Sequence, residues 1–511
     1  MSLMGVDVGT TGVKAAVFDA AGNLLAQAGR EYPLLFPFPG AAELDPHTVI
    51  EAALAVIAHS AGAVRDSDPV RALAIASQGE AFTPLDANGS FLANAMVSSD
   101  ARAAHIVAKW GSEFGLDRLY RITGHTAYPM YSVFKMLWLK EHQPDVWAKT
   151  RKFVFFEDLL AYVLTGETKT DRTLATRSML YEVQQLQWSR EILDAVGLSA
   201  EKLPEVLPSG SAIGTVRGDL ATRLGLSPDT VVATAGHDQP VGALGCAAAS
   251  PGYASYSIGT VECVTPAADR LILDPSLMNA NLATYPHVVS DTYTTVAFNM
   301  TGGCVLRWLR DQLMIDIARE ARDQGIDPYD HMIAQASDRP TDLILLPHFG
   351  PTGTPHFDPS GVGVLCGMGL STTRAEILRA FLEGITYEMK WNLEILDSAG
   401  FVLQELRAIG GGAKSDIWMQ IKADILGIPL TTMQVSEATC MGAALLAGSA
   451  IGAFDPKVMS AQWAKPIRTF TPRRKNRQLY DDRFEVYKDI YASLGTARRK
   501  LQRIRGVKHG A

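Results

Sequence analysis

Cysteine is scarce in this chain. Its five cysteines (Cys246, Cys263, Cys304, Cys366, Cys440) are scattered over 511 residues. The number is odd and no Cys-x-x-Cys pair occurs, so neither a disulfide framework nor a zinc site of that spacing follows. A reducing cytoplasm is the setting this favours. An excess of positive charge is also missing: 47 Lys and Arg face 54 Asp and Glu, a net charge of −7. A nucleic-acid partner needs a basic face to neutralise phosphates, so none is expected. One basic cluster, Arg473 to Lys475 and Arg498 to Lys500, flanks Tyr480, Phe484, Tyr487, Tyr491 and Leu494 at helical spacing. It reads as the solvated side of a helix that packs on the core. No apolar run reaches membrane-spanning length, so no membrane partner is expected. The N-terminus shows no basic stretch followed by an apolar one, and no signal peptide is read.

What the chain does have is 47% apolar and 20% charged residues, enough to bury a large core. At about 150 residues per domain, its length allows three domains or two large ones. The opening GVDVGTTGVKAAVFDAAGNLLAQA breaks one apolar run after Asp7, resumes from Val13 to Phe18 and turns again at Asp19 to Asn23. This predicts a meander of strands. A helix is predicted from His47 to Ala61 with Gly62 as its stop, then a strand in ALAIAS ending at Gln78-Gly79-Glu80. The middle of the chain repeats the plan. GYASYSIGTVECVTP reads as strand, Gly-Thr turn, strand, and LILLPHFG as a strand. Arg374 to Leu396 reads as a helix with Ile377, Phe381, Ile385, Met389 and Leu393 along one face. ELRAIGGGAKSD is a strand into a Gly-rich turn, followed by a helix from Asp416 to Leu426 that stops at Gly427. PLTTM is a strand, and Ala438 to Ala447 a helix of small residues. The expectation is an α/β protein of two halves with the same logic, residues 1–246 and 247–511, without an exact repeat.

Several segments carry chemistry. In ATAGHDQPVGALG, Asp238 and Gln239 stand at a loop apex before Pro240. A carboxylate beside an orienting amide suits a general base for an alcohol; the alternative is a helix N-cap. In DVGTTGVK, Gly9 and Gly12 let the backbone present successive N–H groups, with the Thr10 and Thr11 hydroxyls and Lys14 beside them. Such a concavity binds phosphate, and Asp7 could hold Mg²⁺ through water; the alternative is an ordinary Gly-rich turn. SIGTVE, with Thr260, repeats the Gly-Thr turn. IGGGAKSD, with Gly411 and Ser415, permits close approach of a flat ring or ribose, although Ser415 also suits an N-cap. Gly302-Gly303 before a helix is a weaker case of the same type. SQGEAF and SSDARA place Gln78, Glu80, Asp100 and Arg102 after apolar strands, where polyol hydroxyls would find acceptors and donors; loop polarity alone is the alternative.

Taken together and in order, GVDVGTTGVKAAVFD, GHDQPVGALG, LPHFGPTGTPHFDPSGVGVLCGMGLSTTRAEILRAFLEGITYEM, IGGGAKSDIWMQIKADILGIPL and EATCMGAALLAG resemble the FGGY carbohydrate kinases over essentially the whole chain. The resemblance implies two actin-like (ribonuclease H-like) ATPase domains flanking a central cleft, and ATP-dependent phosphorylation of a sugar or polyol hydroxyl with Mg²⁺. It assigns Asp238 to the catalytic base and Asp7 to the metal. It assigns Thr10, Thr11, Lys14, Thr260, Gly303, Gly411 and Ser415 to the nucleotide, with Gly12 in the same phosphate turn, and Gly79, Glu80 and Gln239 to the substrate; Gln78 and Asp100 join the substrate set by their place after the apolar strands. The chain departs from the xylulokinase pattern, having Gly79-Glu80 where a Met-His pair is usual. It departs from the glycerol kinase pattern in having Gly79 where an Arg is usual, which implies room for a longer substrate than glycerol. DLLAYVLTGETKTDRTLATRSMLYEVQQLQWS looks like the xylulokinase branch. A small-molecule sugar is therefore the expected partner, a pentulose with D-xylulose first. Ribulose, erythritol, glycerol and a nonenzymatic sensor remain as alternatives, and a homodimer is left open.

Overall fold

The computed structural model describes residues 1–435 and 437–508. Strands β1 (Ser2–Val8), β2 (Gly12–Phe18) and β3 (Leu24–Glu31) form the antiparallel meander that the two turns predict. Helix α1 (Pro46–Val64) starts at Asp45, whose carboxylate accepts the His47 and Thr48 N–H groups. Gly62 does not stop it. Val64 is buried at the far end and holds the last turn against the core, which outweighs the ~1 kcal/mol that an internal Gly costs. By length and composition α1 could cross a membrane, but half of its apolar window is buried and it packs on β2 and β3. Next come β4 (Val70–Ser77), α2 (Phe156–Thr165), α3 (Arg172–Arg177), β5 (Ala212–Thr215), β6 (Val231–His237) and α4 (Asp238–Gly245). The first large sheet has the order β5-β6-β4-β1-β2-β3, with β4 parallel to both β1 and β6.

The second large sheet is built from β7 (Gly252–Ile258), β8 (Glu262–Ala268), β9 (Tyr285–Pro286), β10 (Tyr293–Thr294), β11 (Ala297–Asn299), β12 (Leu403–Ile409), β13 (Leu430–Met433) and β14 (Pro466–Phe470). Its order is β9-β10-β8-β7-β12-β13-β14, with β11 also on β8. Each half thus sets an antiparallel hairpin, β1-β2 or β7-β8, beside a parallel strand, β4 or β12. The helices of this half include α5 (Gly303–Gln312), α6 (Arg374–Ser398), α7 (Asp416–Leu426), α8 (Ala438–Ala450), α9 (Arg477–Ser493) and α10 (Gly495–Lys508). α6 begins with a capping box between Thr373 and Glu376 and α7 ends at left-handed Gly427. Tyr480, Phe484 and Tyr487 of α9 are fully buried, as the core-packing reading of that helix expects.

α8 returns from the second half to pack on β1, β4 and α4. Its small residues permit near-backbone contact. A Cβ on Gly245 would lie 1.9 Å from the Ala438 carbonyl, and one on Gly442 would lie 2.0 Å from that of Val241. This crossing fixes α4, the helix that Asp238 opens. A third core, including Phe82, Phe134, Phe153 and Phe155, lies under the segment between β4 and β5 and supports Tyr131.

Candidate active site

The turn from β1 to β2 is held from several sides. Gly9 N–H donates to the Gly12 carbonyl (3.0 Å), and the Gly9 carbonyl accepts from the Tyr32 hydroxyl (2.6 Å) and from Gln78 Nε2 (3.2 Å). Thr10 Oγ1 donates to Gln78 Oε1 (3.0 Å). Both ends of the Gln78 amide therefore brace this turn: strand β4 lies next to β1, so its end meets the turn. Thr11 is exposed. Lys14 stands directly opposite Asp7 in the β1-β2 ladder, and its Nζ pairs with Glu437 at 2.8 Å. Lys14, Glu437, Gly410, Gly411, Ala413 and Lys414 line one groove of about 900 Å³.

On the other side, the end of β7 gathers three predicted segments. Gly303 N–H donates to the Gly259 carbonyl (2.9 Å) and Gly302 N–H to that of Thr260 (3.2 Å). A Cβ on Gly303 would sit 2.7 Å from Gly259 O, and those on Gly410 and Gly412 would strike Ile258. Around Gly411 itself the space is open. Thr260, Gly303 and Gly411 are thus brought together. Ser415 accepts from Trp418 N–H as the N-cap of α7, so the capping reading describes its side chain.

Two carboxyl groups lie between these turns. Asp7 is half-buried, and its Oδ1, shut off from solvent, has no partner. Burial pushes its carboxyl up to about 7 against the pull of Lys14, with the Glu437 charge adding to the rise. Asp238 opens α4 with about a quarter of its side chain exposed. Burial, then the charges of Asp7 and Glu80, push it up to about 8. Among the described residues no group of three or more His, Cys, Asp or Glu side chains could hold a metal ion. One orphan carboxylate fits Mg²⁺, which keeps several waters and takes one or two carboxylates beside substrate phosphates.

The strand-to-helix corner carrying Asp238 is pinned by side chains. The register of β6 against β4 shifts between Thr234 and Gly236, with Gly236 at φ 114°. The shift frees two N–H groups. Ala235 N–H donates to Glu157 Oε1 on α2 (2.9 Å) and His237 N–H to Thr173 Oγ1 on α3 (2.7 Å). A Cβ at Gly236 would lie 2.5 Å from Thr173 Oγ1 and 2.6 Å from Asp171 Oδ2. Gln239 follows, partly buried.

Beyond Asp238 is a buried polar cluster. Glu80 Oε1 accepts from Arg177 Nε (2.6 Å) and NH2, and its Oε2 from Ser98 Oγ. Burial alone would push the Glu80 carboxyl up, but the charges of Arg177 and His237 hold it at about 2. Arg177 packs against the rings of Tyr131 (5.1 Å) and Tyr285 (5.7 Å). Gly79 does not leave free volume: a Cβ there would meet Arg177 Nε and His237 Nε2, each at 3.2 Å. The guanidinium missing at position 79 is supplied by α3. Asp100 is bonded within the protein. It is buried, and its oxygens accept from Ala42 N–H, from Arg102 N–H and from the Arg102 guanidinium. Such saturated carboxylates tie loops together. Arg177, His237, Tyr285 and Glu437 were absent from the sequence-derived set. Only His237, beside Asp238, carried a signal of position.

Residues 2–245 match the model of the FGGY family of carbohydrate kinases, N-terminal domain, and residues 254–451 that of its C-terminal domain. The chain is 28% identical to a xylulose kinase from Bacillus subtilis, covering 98% of this chain and 99% of the relative. It is 32% identical to a glycerol kinase from Cereibacter sphaeroides, covering 92% and 95%. A crystal structure of ligand-bound xylulose kinase from Lactobacillus acidophilus superposes with a TM-score of 0.90 at 26% identity, covering 98% of this chain and 99% of that one.

Proposed function

The chain belongs to the FGGY family of carbohydrate kinases, and from that premise we propose that it phosphorylates a pentulose, D-xylulose first, with Asp238 as the base. It is an ATP-dependent sugar kinase with a small-molecule sugar as substrate. One observation carries the assignment of the base. Asp238 lies between the buried carboxylate beneath the phosphate turn, Asp7, and the polar cluster of Glu80, Arg177 and His237. We take residues 1–246 as the sugar-side domain and 247–511 as the nucleotide-side domain.

Asp238 takes the proton of a sugar hydroxyl as that oxygen attacks the γ-phosphorus in line. A base whose carboxyl titrates near the working pH suits this transfer. We assign the Thr10 and Thr11 N–H groups, the Thr260 hydroxyl and Lys14 to the transferring phosphate, where preorganised donors give most of the rate gain. Gly411 leaves the backbone open to the nucleoside, and Gly303 lets α5 close on the Gly259-Thr260 turn. Asp7 would hold Mg²⁺, which when bound neutralises phosphate charge. Glu80 and Gln239 bind sugar hydroxyls, with Arg177 completing that end.

A second reading, glycerol as substrate, is favoured by one specific observation: Arg177 fills the place beside Gly79, which lessens the extra room for a longer chain. A coupled ADP assay over D-xylulose, D- and L-ribulose, erythritol, xylitol and glycerol decides between them. D-Xylulose is expected to exceed glycerol at least tenfold in kcat/KM. Glycerol turning over best would overturn the pentulose reading, and silence across the panel would favour a sensor.

A further inference from the structure

We propose that His237 and Tyr285 are positioning residues for Asp238, joined to it by a hydrogen-bonded chain that completes only when the segment carrying Tyr285 is seated against the N-terminal half. The proposal rests on Asp238 being the base. His237 is 5% exposed, and its ring bridges two groups. Nδ1 lies 3.0 Å from the Tyr285 hydroxyl and Nε2 lies 3.3 Å from Asp238 Oδ1. The first contact is a hydrogen bond; the second is a close polar contact without hydrogen-bond alignment, and such catalytic contacts commonly align and tighten in the reacting complex.

Chemistry fixes the direction of the chain. Burial and the Arg177 charge push the imidazole down to about 3, so the ring is neutral and carries one N–H. In the ionised form, the one that can act as a base, Asp238 only accepts, so that proton then sits on Nε2. Nδ1 is then an acceptor, and Tyr285 must donate to it. Burial raises the Tyr285 hydroxyl well above its ordinary value, which keeps it a donor. The remaining charged or titratable groups around the ring are Arg177, Glu80 and His125, and Arg177 is spoken for by Glu80.

Tyr285 belongs to β9 of the second sheet, where it pairs with Thr294, yet its hydroxyl and the preceding Thr284 reach the first half. Thr284 N–H donates to the Gly124 carbonyl at 2.8 Å. Gly124 has φ 69°, and a Cβ there would lie 1.9 Å from the Thr284 carbonyl, so only glycine permits the approach. The His125 ring lies 5.5 Å from that of Tyr285. The orientation of the base is therefore tied to the docking of the second half on the first.

The test compares Tyr285→Phe, His237→Ala, His237→Gln, the double variant Tyr285→Phe/His237→Ala, and Asp238→Asn, each checked for melting temperature. Tyr285→Phe and His237→Ala are expected to lower kcat about tenfold or more, the worth of one hydrogen bond to a charged group, with both KM values within twofold. The double variant should be no slower than the worse single one, because both break the same chain. His237→Gln, which returns an N–H near Nε2, should recover part of the loss. If both single variants keep wild-type kcat while Asp238→Asn is dead, the positioning role falls and the base stands. If Asp238→Asn turns over normally, both readings fall. A loss confined to the sugar KM would make these residues sugar contacts and overturn the proposal. If Tyr285→Phe melts well below wild type, His237→Gln against His237→Ala decides.

Discussion

Replacing Asp238 by Asn should harm activity and help stability, and the gain in stability should grow with pH. The folded protein holds this carboxyl at about 8 against an ordinary 3.8, through burial first and then the Asp7 and Glu80 charges. The sign follows from linkage. A carboxyl raised in the folded state contributes stability that is fully present below the unfolded value, near 4, and is lost as pH rises through about 8. Each pKa unit corresponds to about 1.4 kcal/mol, so between pH 5 and pH 8.5 the wild type loses about 4 kcal/mol from this group alone. About a quarter of the side chain reaches the cleft, and water there screens part of the effect, so ~2 kcal/mol is the working expectation. Asn has nearly the same shape and no titration, so it does not suffer this loss. Urea unfolding of both proteins at pH 5 and pH 8.5, without nucleotide, measures the difference. Turnover should fall about 10²–10⁴-fold, the usual cost of losing a positioned base. A stability difference that is flat with pH would refute the raised carboxyl, and near-normal turnover would remove Asp238 from the base role.

Three further outcomes follow from the same geometry. Lys14→Ala should raise the KM for ATP while leaving the melting temperature nearly unchanged, since its half-exposed pair with Glu437 is worth at most ~1 kcal/mol; a large fall in melting temperature with normal ATP kinetics would make the pair structural. Gln78→Leu should weaken ATP and spare the sugar KM, because the amide braces the Gly9–Thr10 turn; the reverse pattern, read from initial rates, would return Gln78 to the sugar. Arg177→Met should lower stability by about 3–5 kcal/mol, because it leaves Glu80 buried and unpaired, and Glu80→Gln in the same chain should restore part of that loss in urea unfolding.

The sequence was most readable where one local rule decides. The Gly-Thr-Thr-Gly and Gly-Thr turns, the Thr373 start of α6 and the Gly427 stop of α7 each follow from backbone freedom or capping within a few residues. The strand ends were readable as chemistry but not as assignment. Gln78 and Asp100 have the polar groups a sugar would need, yet both are consumed by neighbouring backbone and side chains, and only the packing of β4 beside β1 and of Arg102 beside Asp100 reveals it. Arg177 sits in a short helix with no motif of its own. Its meaning comes from α3 lying against the segment that follows β4, where Arg177 meets Glu80, 97 positions away in sequence.

The same distance effect bears on how the base is tuned. Burial is the first cause of a carboxyl near 8 at Asp238, and the charges that add to it, Asp7 and Glu80, come from the ends of β1 and β4, far from it in sequence. Parallel strands deliver their C-terminal ends to one edge of a sheet, and β1, β4 and β6 all end there. Three acidic side chains at three neighbouring strand ends are mutually repulsive, and the arrangement is tolerable because each has a different remedy. Glu80 is neutralised by Arg177. Asp7 is opposed by Lys14 across the ladder and left with one oxygen free. Asp238 alone lacks a cation and is left to titrate near 8, with a neutral imidazole as its neighbour. Moving Arg177 closer to Asp238 than to Glu80 would pull the base down and leave Glu80 uncompensated, so the pairing of Arg177 with Glu80 is itself part of what keeps Asp238 able to accept a proton.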